Sequence, residues 1–350
     1  MSDNKSTSVR KPVKKKSGKV WKIILTFLLI ILLAIGSYLV YLYFVGKSAA
    51  DKAYDDSGRV KSDLREEQVT PFKDNVSILF VGVDDSEKRG QGENNSRSDS
   101  LMLATLNNKD HSVKLLSIPR DSYVTIPAFG YDDKITHAHT APTGVQSTIE
   151  TVEKMLDVPV DYYFELNFDS FIEIVDALDG IEVDVPYDLH ELDENDKRTV
   201  NLKKGVQVVN GREALALART RHQDNDFKRG ERQQMILKAI AAKATSVSSF
   251  TKYDSLLTAI GDNMTTNMTF KQMKSFFSYL QDGMPSMESL KLEGSDDMST
   301  GVYYFKINDE SLLSTSQTLQ KQLELPQTSD LTPADPENPN AATDTTTDQQ

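Results

Sequence analysis

Twelve arginines occur in this 350-residue chain, and none follows Arg232. Six stand in three short segments: Arg97, then Arg120, then Arg219, Arg221, Arg229 and Arg232 in one stretch, RTRHQDNDFKRGER. Acids accompany them. Asp84 and Asp85 close an apolar run, Asp99 follows Arg97 by two positions, and Asp121 follows Arg120 directly. Guanidinium forks grip phosphate oxygens bidentately and stay charged at any relevant pH. Carboxylates beside them suit a hard divalent cation, Mg²⁺ with Mn²⁺ as its substitute, which also touches phosphate oxygens. Together they describe a pyrophosphate site, where cation and arginines neutralise charge as a phosphoryl group leaves. The plainer reading is salt bridging, and Arg229 and Arg232 at i, i+3 would then decorate an exposed helix.

Other motifs carry less. Gly90-Gln91-Gly92 lacks a third glycine and reads as loop, and no Walker-type loop or Gly-x-Ser-x-Gly elbow occurs. His137 and His139 in KITHAHT would share a face on a strand, but a zinc site needs a third ligand, so a structural or substrate-contact role is expected. The absence of cysteine excludes disulfides, thiolate metal sites and a thiol nucleophile. Leu325–Ser329 resembles a sortase signal by chance, because Ser stands where Gly is required and no apolar segment follows.

The elements that must position these residues follow from charge and periodicity. The formal charge is −12, which argues against nucleic acid as a partner. Residues 1–22 carry +7, residues 23–46 carry no charge, and the rest is strongly acidic. A helix of 24 apolar residues spans ~36 Å, enough for a bilayer core of ~30 Å. It is too long for a cleaved signal, and the basic flank keeps the amino terminus cytoplasmic. The organisation expected is a cytoplasmic segment (1–22), a transmembrane helix (23–46), an extracytoplasmic stalk (47–73), a catalytic domain (74–325) and a disordered acidic tail (326–350).

Within the domain, strands are expected over 77–83, 101–106, 113–118, 161–168, 180–185, 290–292 and 302–307. Helices are expected over 147–156, 170–178, 212–219, 229–244 and 269–280, with capping boxes at Ser147/Glu150, Ser170/Glu173 and Thr269/Gln272. The fold class is α/β, a mixed central sheet between helical layers.

Several segments, in order, resemble the LytR-CpsA-Psr family of bacterial envelope proteins: SILFVGVDD, RSDSLMLATLN, LLSIPRDSYV, KITHAHT, YYFELNFDSFIEIVDALDGIEVDVP and VNGREALALARTRHQDNDFKRGERQQMILKAI. The resemblance runs from about Asn75 to Ala242. It implies a Mg²⁺-dependent phosphotransferase that moves an anionic glycopolymer, of teichoic acid or capsule type, from undecaprenyl pyrophosphate to peptidoglycan. A phosphodiester forms, typically at the C6 hydroxyl of N-acetylmuramic acid. By position, Asp84 and Asp99 correspond to the metal-holding acids, with Asp85 the alternative to Asp84. Arg97, Arg120, Arg219 and Arg221 correspond to the phosphate clamp, and Arg229, Arg232 and Gln233 lie on the helix that completes it. Asp99, Arg120, Arg219 and Arg221 are the residues expected to act in catalysis, with Asp99 the best candidate for a general base. The lipid tail is expected between sheet and helices.

Three other functions compete. A membrane-bound transcription regulator would need more than 22 cytoplasmic residues. A polymer-binding adhesin would not need localised arginines beside acids. A lipid-pyrophosphate hydrolase differs only in using water as acceptor.

Overall fold

The computed structural model describes residues 17–71, 73–84, 96–195, 197–220, 226–246, 253–281 and 283–325. The acidic tail, the Gly90–Gly92 loop and most of the basic head lie outside them. In chain order the elements begin with α1 (Ser17–Ala53), β1 (Val76–Asp84), β2 (Arg97–Asn107), β3 (Ser112–Ile118), β4 (Tyr123–Ile126) and β5 (Tyr131–Lys134). A 3₁₀ helix (Ile135–Thr140), α2 (Val145–Leu156), β6 (Tyr162–Leu166), α3 (Phe168–Ala177), β7 (Ile181–Val185), β8 (Leu189–Leu192), β9 (Arg198–Leu202) and β10 (Gly205–Val209) follow. The remainder is α4 (Gly211–Arg219), α5 (Asp226–Ala244), α6 (Tyr253–Asn263), β11 (Met264–Thr266), α7 (Phe270–Gln281), β12 (Ser286–Leu290), β13 (Gly294–Asp297), β14 (Tyr304–Ile307) and α8 (Asp309–Gln322).

The main sheet is mixed, in the order β11-β6-β1-β2-β3-β12. β1 runs antiparallel to β2 and parallel to β6, and β12 runs parallel to β3. Alternation along each strand feeds two cores. Leu79, Val81, Leu103 and Leu116 pack with Ile149 and Val152 of α2 and Leu319 of α8 on one face. Ile78, Met102, Ala104 and Leu115 pack on the other, joined by Leu237 of α5 and Met273 of α7. A third core gathers β7–β10, α3 and α4. The expected α/β sandwich is the observed one. Strand β7 keeps its period of two, its residues buried and exposed in turn.

The caps differ from expectation at two of three helices. Thr269 and Gln272 do cap α7 reciprocally. At α2, Gly144 at φ 54° begins the helix and Ser147 lies buried inside it. At α3 the cap is Asn167, which accepts from the Ser170 amide. Ser-x-x-Glu within an amphipathic run fits a helix interior as well as its start, and here hydrophobic packing sets the start earlier. The box at α4, Asn210 with Glu213, was legible in the sequence but not anticipated.

One helix, α1, is long and apolar enough to cross a membrane, and its apolar side chains are exposed over that stretch. It does not end in a free stalk. Residues 46–53 continue the helix and pack on α6 and α7. Ala49, Ala50 and Ala53 are buried, and a Cβ on Gly261 would come within 2.6 Å of the Ala49 Cα. Residues 54–73 then lie against the domain. Arg59 and Ser62 both donate to Glu153 at 2.6 Å, and Arg65 grips Asp161 through Nε at 2.9 Å and Nη2 at 2.7 Å. Two of the charges that suggested a solvated stalk, Arg59 and Arg65, are taken up in these pairs, while Asp55, Asp56, Lys61, Asp63, Glu66, Glu67 and Lys73 are exposed.

Asp161 also accepts from the Ser77 amide at 2.9 Å, so the Arg65 pair ties this segment to β1 and β6. Arg65→Ala leaves that buried carboxylate without its cation, which typically costs about 3–5 kcal/mol. The expected result is a fall of several degrees in the circular-dichroism melting midpoint of the full chain. An unchanged midpoint would show that the pair is not needed.

Candidate functional site

The site begins with an irregularity in β2. Gly82 pairs with Ser100 and Val83 pairs with Ser98, so Asp99 is one residue too many for the ladder. Such a β-bulge breaks the period of two and re-aims the side chains around it. Asp99 and Ser100, adjacent in sequence, consequently line the same cavity. Arg97 is exposed, pairs across the ladder with Asp84, and does not line the cavity.

The cavity, of about 310 Å³, lies between the sheet and helices α3, α4 and α5. One part is apolar, walled by Phe80, Met102, Phe168, Phe171, Ile236 and Ile240. Its polar end holds Asp99, Ser100, Arg120, Arg219, Arg229 and Gln233. A single helix stripe supplies much of both: Arg229, Gln233, Ile236, Leu237 and Ile240 follow helical spacing along α5. Its stripe is polar toward the amino-terminal end and apolar beyond it.

Each polar group is held. Arg120 Nη1 donates to Asp99 at 2.6 Å, and its Nε lies 3.5 Å from Asp121, which also pairs with Lys134 at 2.8 Å. Arg219, the last residue of α4, lies over the Phe168 ring at 4.4 Å, an orienting cation–π contact. Gln233 accepts from Ser100 Oγ at 3.0 Å. Arg229 is buried at the cavity wall.

Arg232 is placed differently from expectation. Buried at 4%, it donates from Nε to the Leu217 carbonyl at 2.9 Å and from Nη2 to the Thr220 carbonyl. It satisfies the carboxyl-terminal end of α4 and lines no described cavity. Arg221 and Asp85 lie outside the described residues, and of Asp84 only the backbone, at the end of β1, is described. Among the described residues, no group of three or more His, Asp or Glu side chains converges as a metal site. A Mg²⁺ site does not need one, because one or two carboxylates with substrate phosphates commonly suffice. The partly exposed Asp99 carboxylate at the cavity's polar end fits that donor set.

This arrangement can hold an amphipathic anion, with its charged head against the arginines and its apolar part beside α5. The comparisons agree. The LytR_cpsA_psr family pattern matches residues 40–321. The chain belongs to this family. It is 39% identical to the polyisoprenyl-teichoic acid–peptidoglycan teichoic acid transferase TagT of Bacillus subtilis, over 90% of this chain and 98% of that relative. A solved structure of TagT bound to LIIa-WTA superposes with a TM-score of 0.66 at 39% identity, covering 76% of this chain and 98% of that one. Another, of TagT with bound octaprenyl pyrophosphate lipid, gives 0.62 at 37% identity, covering 76% and 97%.

In this family member the KITHAHT segment is a 3₁₀ helix, not a strand. With three residues per turn, i and i+2 diverge, and the two histidines take separate partners. His137 bonds Asp133 at 2.7 Å. His139 bonds the Ser96 carbonyl at 3.0 Å and Glu165 at 3.2 Å. Thr136 donates its hydroxyl to the Ser98 carbonyl at 2.9 Å and its amide to the Arg120 carbonyl at 3.1 Å. The segment therefore clamps the bulged start of β2 to Arg120. A structural role was expected for His139, whereas Thr136 was not singled out, because nothing in its spacing marks the strand it holds.

Burial of His139 opposes its charge, but the Glu165 carboxylate and the Ser96 carbonyl outweigh it, so its pKa is raised from the ordinary 6.5. Its stabilising contribution is complete below the unfolded value and fades as pH rises through the raised folded value. The melting-midpoint gap between the parent and His139→Gln should shrink from about pH 6 to about pH 9. A gap independent of pH would assign His139 a packing role alone.

Proposed function

We propose that this chain is a membrane-anchored transferase that moves an anionic glycopolymer of teichoic acid or capsule type from undecaprenyl pyrophosphate to peptidoglycan. The observation that carries the reading is the single cavity whose apolar wall ends in Asp99, Arg120 and Arg219. An isoprenoid pyrophosphate needs that pairing of surfaces, and TagT, the relative with a bound octaprenyl pyrophosphate, is similar over most of this chain. The basic flank of α1 supports a cytoplasmic amino terminus and an outside domain.

Arg120 and Arg219 bind the diphosphate oxygens, and Arg229 adds charge from α5. The guanidiniums are held before substrate arrives, Arg120 by Asp99 and Arg219 by Phe168, so little reorganisation is needed as charge develops. The acceptor hydroxyl attacks the sugar-side phosphorus. A new phosphorus–oxygen bond forms there as the bond to the bridging oxygen breaks, and lipid phosphate leaves with the hydroxyl proton. Asp99, with Asp84 at the end of β1, would hold Mg²⁺, or Mn²⁺ in its place. When bound, the cation neutralises phosphate charge.

Arg120→Ala and Arg219→Ala should each lower turnover about 10- to 100-fold, equivalent to the ~1.5–3 kcal/mol of a charge-assisted bond, and Lys should rescue poorly. Near-normal turnover of a lipid-pyrophosphate-linked glycan in both alanine variants would remove the clamp. Release of free glycan phosphate in place of the peptidoglycan adduct would make the enzyme a hydrolase.

Asp99→Asn should abolish the response to a Mg²⁺ titration, because a neutral amide is a weaker ligand for a hard cation. A parental titration curve in that variant would take the metal away from Asp99. Protease added to wall-stripped cells should remove a carboxyl-terminal tag and spare an amino-terminal one; the opposite pattern would invert the topology.

A further inference from the structure

A second, smaller cavity lies against the first. Asp99, Ser100, Arg229 and Gln233 line both, so these four side chains form a partition. Beyond it the lining changes character. Ser117 of β3, Glu231 and Gln234 of α5, Ser289 of β12 and Lys291 just after it bring polar groups in among Leu101, Ile118, Pro119 and Leu290, and the aromatic rings are gone. The volume is about 30 Å³, room for roughly two waters or a hydroxymethyl arm and too little for an isoprenoid.

Three features make this groove more than a packing gap. Gly230 allows the approach of α5 to β3 that closes it, since a Cβ there would lie 2.8 Å from the Ser117 Cβ. Gln234, 3% exposed, is anchored through Nε2 to Ser117 Oγ at 3.1 Å, yet its buried Oε1 meets no donor among the described residues. Buried acceptors are almost always satisfied, so an orphan at a cavity wall calls for a donor from outside the chain. Finally, Glu231 lies at the rim between Lys228, at 2.8 Å, and Lys291. Alternating donors and acceptors suit the hydroxyls of a sugar, and the Glu231 carboxylate is neutralised by its two lysines.

We propose that this groove is the acceptor site, admitting the primary hydroxyl of a peptidoglycan sugar to the Asp99–Arg229 partition from the face opposite the lipid. The inference rests on the transferase reading and adds to it the entry side of the nucleophile. In-line displacement puts the nucleophile opposite the leaving lipid phosphate, and a hydroxyl arriving at the partition approaches from that side. Residues of β12, beyond the segment that carries the sequence resemblance, thereby join the site.

The test uses the full chain in nanodiscs, with two readouts for each variant: affinity for octaprenyl pyrophosphate, and both KM and direct binding for an uncrosslinked peptidoglycan oligomer. Ser289→Tyr fills the groove, and Lys291→Glu reverses the charge of a rim residue that is more than half exposed. Both should raise the acceptor KM, the tyrosine variant about tenfold, and weaken oligomer binding while octaprenyl pyrophosphate affinity stays at the parental value. Parental acceptor KM and oligomer binding in both variants would overturn the assignment. A parallel loss of lipid affinity would also overturn it, by making the groove part of the donor site. If the parent chain neither binds octaprenyl pyrophosphate nor transfers glycan, the transferase reading falls and takes this inference with it.

Discussion

Asp99 has no partner across the β1–β2 ladder, and the geometry of the site depends on that one surplus residue. In a regular strand Asp99 and Ser100 would face opposite sides of the sheet. With the bulge, both meet α5 and Arg120 in one cavity. The distortion is held from several directions. Gly82 stands opposite Ser100, where a Cβ would come within 3.0 Å of the Ser100 Cβ. Thr136 and His139 take the carbonyls of Ser98 and Ser96, and Arg120 takes the Asp99 carboxylate. A bulge fixed at so many points is a rigid mount for a carboxylate.

Helix α5 is the second half of the mount. Its cavity-facing stripe changes from charged to aliphatic along the axis, so one straight element sets head group and tail in register. Arg232 lies off that stripe and closes the end of α4. That contact fixes the helix whose last residue is Arg219. An arginine outside the cavity thus fixes the helix that carries another one within it. On the opposite side of Asp99, α5 approaches β3 at Gly230 and frames the smaller groove.

The anchor belongs to the same mechanical unit. α1 carries the membrane-spanning run directly into contact with α6 and α7, where Tyr43 meets Phe270 edge-on at 5.4 Å and Gly46 leaves room for that ring. Small residues at a helix crossing bring backbones close and leave little freedom for tilt. The domain is thereby joined to the membrane-spanning run through packed helices.

The sequence by itself determined the anchor, the alternating strands and helices of the sandwich, and the localisation of arginine and acid. These are set by local periodicity, composition and charge, which act over a few residues. It also singled out Asp99, Arg120, Arg219, Arg229 and Gln233, and the structure brings these five to one cavity. Only the tertiary structure decided that Arg97 stays outside and that Arg232 serves α4, because a bulge and a helix rotation turn on contacts distant in the chain. The same holds for Arg59 and Arg65, whose charges read as solvated until Glu153 and Asp161 stand beside them. The groove of Ser117, Gln234 and Ser289 is likewise beyond linear reading. These residues come from β3, α5 and β12, and only the order of strands in the folded sheet makes them neighbours.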